Sequence, residues 1–136
     1  MATEGIVYLD YPEAVALHIT LMRRLGESRF GVAEADLIHS ALARPRQAAH
    51  YEKTDLIRQA ATLCFGLIKN HPWLGGNKRT ATLLVSEFLS CNGIVMTASI
   101  AQVIELVLAV ESDRFGVDEI EAWYRIHRAF TLIHLR

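Results

Sequence analysis

HPWLGGNKRT, His71 to Thr80, joins two stretches that each read as one buried helix face, and it concentrates the chemistry of the chain. Upstream, Leu56, Ile57, Ala60, Ala61, Cys64, Leu67 and Ile68 recur at the spacing of an amphipathic helix. Downstream, Ala81, Leu84, Val85, Phe88 and Leu89 repeat that spacing. The ten residues are therefore expected to form a short connection held rigidly between two core helices. Asn70, His71 and Pro72 stop the first helix, because proline disfavours helical backbone at the residue before it. Gly75 and Gly76 permit a tight turn and close approach of a ligand to the backbone. Asn77 is placed to cap the second helix or to turn towards a ligand.

The first amides of that second helix, around Lys78 to Thr80, lack intrahelical partners and lie at the positive end of the helix dipole. A phosphate satisfies such amides. Lys78 adds a flexible point charge and Arg79 a planar fork able to grip two oxygens. Together they predict a polyphosphate site. Basic residues at a helix start oppose the dipole by a few tenths of a kcal/mol, which favours an anionic ligand to offset them. The plainer alternative is an ordinary helix stop and turn carrying two solvated cations. The stretch is not a Walker loop, which needs a glycine, four residues, then Gly-Lys and Ser or Thr, whereas Gly66 is followed five places later by His71. His71 precedes the turn by a few residues, and an imidazole is suited to take a proton from a hydroxyl attacking a bound phosphate. Trp73 is expected as a hydrophobic plug that fixes the loop.

The remaining sequence extends the helical pattern. Pro12 opens a helix to about Leu25, with Ala14, Leu17, Leu21 and Leu25 on one face and Gly26 as its stop. A second helix is expected over 33–43, ended by Pro45, with 44–53 left as a polar connection. Thr54 is expected to cap the third helix, with Asp55 in its first turn. After the fourth helix, Asn92 and Gly93 turn the chain into a short extended piece, Ile94 to Met96. A fifth helix, capped by Thr97 or Ser99, carries Ile100, Val103, Ile104, Val107 and Leu108 and is apolar enough to be central. A sixth begins near Asp118 and groups Ile120, Trp123, Tyr124 and His127. These elements predict an all-α bundle of about six helices, forming a single domain over 1–136.

Composition narrows the function classes. With 136 residues the chain has room for one hydrophobic core. Its formal net charge of −1 gives no general attraction for nucleic acid or anionic membrane, so anion binding must be local. The longest apolar runs fall short of the roughly 18 residues a membrane span requires. Met1 to Asp10 has neither a basic segment nor a sustained apolar region, unlike a secretory signal, so a cytoplasmic protein is expected. Cys64 and Cys91 have no CxxC spacing and are expected as buried free thiols. His18, His39, His50, His127 and His134 lack metal-ligand spacing.

The run Leu67 to Ala81, LIKNHPWLGGNKRTA, resembles the Doc (death-on-curing) branch of the Fic superfamily, whose motif is HxFxDxNKRTA. Ser40 to Pro45, SALARP, and the helix order are also similar to that branch. The resemblance implies a Fic-type helical fold and a toxin of a type II toxin-antitoxin pair. It further implies phosphoryl transfer from ATP or another nucleoside triphosphate to a protein hydroxyl, with elongation factor Tu as the family's best-known target. A Phd-like antitoxin would be the neutralising partner. By position, His71 would be the general base, and Gly75, Gly76, Asn77, Lys78 and Arg79 would line the phosphates. Trp73 would take the family's Phe position, and 44–53 would be the flap, with His50 and Tyr51 as target contacts. In the adenylylating branch Gly follows the Asn and a second Arg stands where this chain has Thr82, so Lys78 and Thr82 favour the Doc branch. Where the family carries an acidic residue that holds magnesium with the phosphates, this chain has Gly75, so the protein ligand of the metal is missing. Nucleotidyl transfer and a catalytically impaired binding role are the competing readings.

Overall fold

Ten of the 15 residues of α3 (Leu56–Asn70) are buried, which makes this helix the axis of the molecule. Its face is apolar nearly all round, as a helix enclosed by others must be. The computed structural model describes residues 5–130. His134 and Met1 to Glu4, on which two of the expectations rest, lie outside that range. The other elements are α1 (Tyr11–Arg24), α2 (Ala35–Glu52), α4 (Asn77–Cys91), β1 (Ile94–Met96), α5 (Ile100–Glu111), α6 (Val117–Ile126) and β2 (Arg128–Phe130). The fold is all-α apart from the small sheet, as the periodicity predicts. No helix among the described residues is long and apolar enough to cross a membrane.

α2, α4, α5 and α6 all pack on α3, and one hydrophobic cluster takes in residues from all six helices. α1 begins at a capping box in which Asp10 accepts from Glu13 N–H and Glu13 accepts from Asp10 N–H, with Pro12 in the first turn. β1 and β2 pair antiparallel, Ile94 opposite Phe130 and Met96 opposite Arg128, and tie the end of α6 to the end of α4.

Four expectations are corrected. α2 does not stop at Pro45 but runs to Glu52, so the segment expected as a polar connection and flap is helical. Ile38, Ala41, Pro45 and Ala48 are all buried along its face towards α3. Packing of that continuous face offsets the cost of about 3 kcal/mol for an internal proline. Tyr51, offered as a flap contact, is instead an exposed residue of the last helical turn. The second correction concerns α5, which is peripheral: Ile100, Ile104 and Leu108 are 82%, 51% and 46% exposed, while Leu106, Val107, Ala109 and Val110 face the core. Third, Cys91 is exposed; only Cys64 is buried, where burial pushes its thiol up to about 11. Finally, the cap of α3 is Asp55, whose carboxylate accepts from Arg58 N–H at 3.0 Å, rather than Thr54.

Candidate phosphate-binding site

The α3–α4 connection is stitched to the segment after α1. Pro72 carbonyl accepts from Ala33 and Glu34 N–H at 3.0 and 3.1 Å, and Gly31 carbonyl accepts from Leu74 N–H at 2.9 Å. Trp73 is 3% exposed and stacks on His18, with ring centroids 4.1 Å apart, so it does plug the loop into the core. Asn77 belongs to the same construction. Its side chain accepts from Trp73 N–H at 2.9 Å and donates to Trp73 carbonyl at 3.0 Å, clamping the turn. It therefore does not cap α4; the N-cap is Gly76, in the left-handed region at φ 65°, with no side-chain cap.

That absence of a cap matters for ligand binding. The first intrahelical bond of α4 runs from Thr80 N–H to Gly76 carbonyl at 2.8 Å. The amides of Asn77, Lys78 and Arg79 precede it and have no side-chain acceptor from an N-cap residue. They form the concave start of a helix suited to an anion. Lys78 and Arg79 leave this start in different directions: Lys78 reaches Glu111 at 3.0 Å, Arg79 reaches Glu27 at 3.1 Å.

His71 closes α3 with left-handed backbone at φ 46° and ψ 55°, a conformation that costs a non-glycine residue roughly 1 kcal/mol or more. The turn projects a half-exposed imidazole whose Nε2 lies 3.9 Å from Glu111 Oε2. Since the same carboxylate holds Lys78, the base candidate and the cation candidate meet at one spot. Lys78 and Arg79 also rim an apolar groove of about 560 Å³ between α4 and α5, walled by Ile100, Val103, Ile104 and Leu108.

Two contributors escaped the sequence reading. His18 is fully buried; its Nε2 accepts from Gly31 N–H at 2.9 Å, which leaves the proton on Nδ1, 2.8 Å from Thr80 Oγ1. Burial lowers its pKa to about 4, so the ring is neutral and joins the loop, Trp73 and α4 in one unit. Its place four residues after Ala14 on the α1 face was the available signal. Glu111, at the far end of α5, had none: it meets the site only through the tertiary fold.

Gly75 does not accommodate the acidic residue of the resemblance. A Cβ there would lie 2.5 Å from the backbone carbonyl oxygen of Arg29, closer than any real contact. The neighbouring Gly31 is held by His18 and Leu74, so this loop cannot retreat cheaply. A Cβ on Gly76 would meet the end of the Met22 side chain instead.

The Fic/DOC family matches residues 8–89, and the chain belongs to that family. The matched span contains the whole loop from His71 to Thr80 and ends before Glu111. No curated protein matches the chain closely.

Proposed function

We propose that this protein is a Doc-like toxin that transfers a phosphoryl group from ATP, or another nucleoside triphosphate, to a hydroxyl of a translation factor. Elongation factor Tu is the proposed target, inside the bacterial cytoplasm. The observation that carries the reading is the convergence of His71 and Lys78 on the Glu111 carboxylate, on a loop whose following helix α4 starts without a side-chain cap. His71 takes the proton from the target hydroxyl as its oxygen bonds to the γ-phosphorus. The bond from that phosphorus to the bridging oxygen breaks, and the nucleoside diphosphate leaves. The α4 amides and Lys78 stabilise the charge on the transferring group and the leaving phosphate. Magnesium, bound with the nucleotide, would add charge neutralisation. Lys78 after Asn77, and Thr82 in place of a second arginine, favour phosphoryl over nucleotidyl transfer through the family resemblance.

A Phd-like antitoxin would neutralise the toxin by laying a helix into the apolar groove between α4 and α5. The groove's apolar stripe, with cations at one end, suits a helix carrying apolar residues at three- and four-residue spacing and an acidic end. A reconstituted translation extract tests the function. Wild-type protein with ATP should arrest synthesis, and His71→Ala should not. Arrest by both proteins, or by neither when elongation factor Tu is present, would refute the reading.

A further inference from the structure

We propose that a second cavity, between α3, α4, α5 and α6, is a binding site for a small neutral aromatic molecule, one ring in size and carrying one hydroxyl. The cavity holds about 140 Å³ and adjoins the α4–α5 groove, with which it shares Thr82, Val103 and Val107. Ile68 of α3, Val85 of α4 and Leu106 of α5 are buried walls, and Cys64 of α3 and Tyr124 of α6 are buried polar ones. Thr82 and Ser86 are exposed, so the space opens to solvent along α4. It shares no lining residue with the loop from His71 to Thr80, and it stands whether or not that loop binds phosphate.

Size, charge and polarity each narrow the ligand. An apolar cavity of about 150 Å³ stays dry and takes a molecule such as benzene, whereas a peptide helix about 10 Å across is far too wide. Left empty, the space deprives its lining atoms of dispersion contacts that a ring restores. None of the lining residues is Asp, Glu, Lys, Arg or His, so an ion would lose its hydration without a counter-charge. Burial pushes the Cys64 thiol up to about 11 and the Tyr124 hydroxyl well above its ordinary value, which keeps both neutral. These two groups hydrogen-bond to each other. With the Tyr124 proton turned to sulfur, its oxygen keeps lone pairs able to accept from a ligand hydroxyl. An aromatic ring is favoured over an aliphatic chain by two further lining residues. Met96 brings a polarisable sulfur, and the Trp123 indole is held by stacking on His127 with centroids 4.1 Å apart.

The test is an NMR titration of protein with isotope-labelled methionine and leucine methyl groups, using phenol, benzene and benzoate as probes. Met96 and Leu106 line the cavity alone and Leu108 the groove alone, so the signals that move locate the ligand. In the wild-type protein, phenol and benzene should shift Met96 and Leu106 along saturable curves and leave Leu108 in place. Benzoate, an anion of similar size, should shift none of the three. Tyr124→Phe, with its fold checked by circular dichroism, should lower the ratio of phenol to benzene affinity about fivefold, equivalent to about 1 kcal/mol. Unmoved Met96 and Leu106 signals, or shifts centred on Leu108, would overturn the proposal from the wild-type titration alone. Saturable benzoate binding at Met96 and Leu106, or an unchanged affinity ratio in folded Tyr124→Phe, would overturn the ligand class assigned to the cavity.

Discussion

Acid should loosen the candidate site through one residue, His18. Its imidazole accepts from Gly31 N–H through Nε2, donates to Thr80 Oγ1 through Nδ1 and stacks on Trp73. Protonation places a second N–H opposite Gly31 N–H, so the charged ring and the native loop are incompatible. The folded pKa of about 4 lies below the ordinary value of 6.5. Between these values the unfolded chain binds more protons, so stability falls as pH falls through this window and is unaffected by His18 above it. With those two values, the folded state loses about 2 kcal/mol by about pH 5, approaching about 3 kcal/mol below pH 4. The assay is urea unfolding followed by circular dichroism, comparing wild type with His18→Gln at about pH 7.5 and about pH 5. At the higher pH the variant should be less stable by about 1–3 kcal/mol, from the lost hydrogen bond and the partner left unsatisfied. At the lower pH that gap should shrink by about 2 kcal/mol, because only the wild type carries this titration. An unchanged gap between the two conditions would refute the assignment of a buried, neutral His18.

Restoring the family's acidic residue by Gly75→Asp should fail to tighten metal-dependent nucleotide binding. It should lower stability by about 1–3 kcal/mol through overpacking against the Arg29 carbonyl, measured by thermal unfolding; an unchanged midpoint would contradict the close approach. The indole N–H of Trp73 is buried with no partner among the described residues. Trp73→Phe removes this orphan while keeping a ring on His18, so its cost should stay within about 1 kcal/mol, against about 3–5 kcal/mol for Trp73→Ala. Equal losses in denaturant titration would mean that the N–H is satisfied. A thiol reagent should modify Cys91 in the native protein and reach Cys64 only on unfolding, since Cys64 is buried with its thiol raised to about 11. Equal rates, read by mass spectrometry of the two peptides, would contradict that burial.

The helical class, the core role of α3 and the α3–α4 turn were legible because each follows from local periodicity or punctuation. The cap of α5 was legible as Thr97 or Ser99, and the structure takes Ser99, through a capping box with Gln102. Pro45 misled because its local preference ends a helix, while the buried row Ile38, Ala41, Pro45 and Ala48 continues it. The face of α5 misled for the converse reason: an apolar stripe states that something covers it, not that the chain's own core does. Asn77 kept two options open in sequence; in the fold it does not cap α4, and its side chain clamps Trp73. Glu111 was illegible because its meaning depends on where α5 ends in space. Gly75 could be recognised as a departure from the family motif, but the Arg29 carbonyl that enforces it belongs to a loop with no marking of its own.

Label transfer from ATP to purified elongation factor Tu in the presence of magnesium, with the label on the γ- or the α-phosphate, tests the proposed chemistry most directly. Wild-type protein should pass the γ-label to the factor and leave the α-label in solution, and folded His71→Ala should pass neither. Transfer of the α-label would establish nucleotidyl transfer instead, and γ-transfer that persists in His71→Ala would contradict the role given to His71.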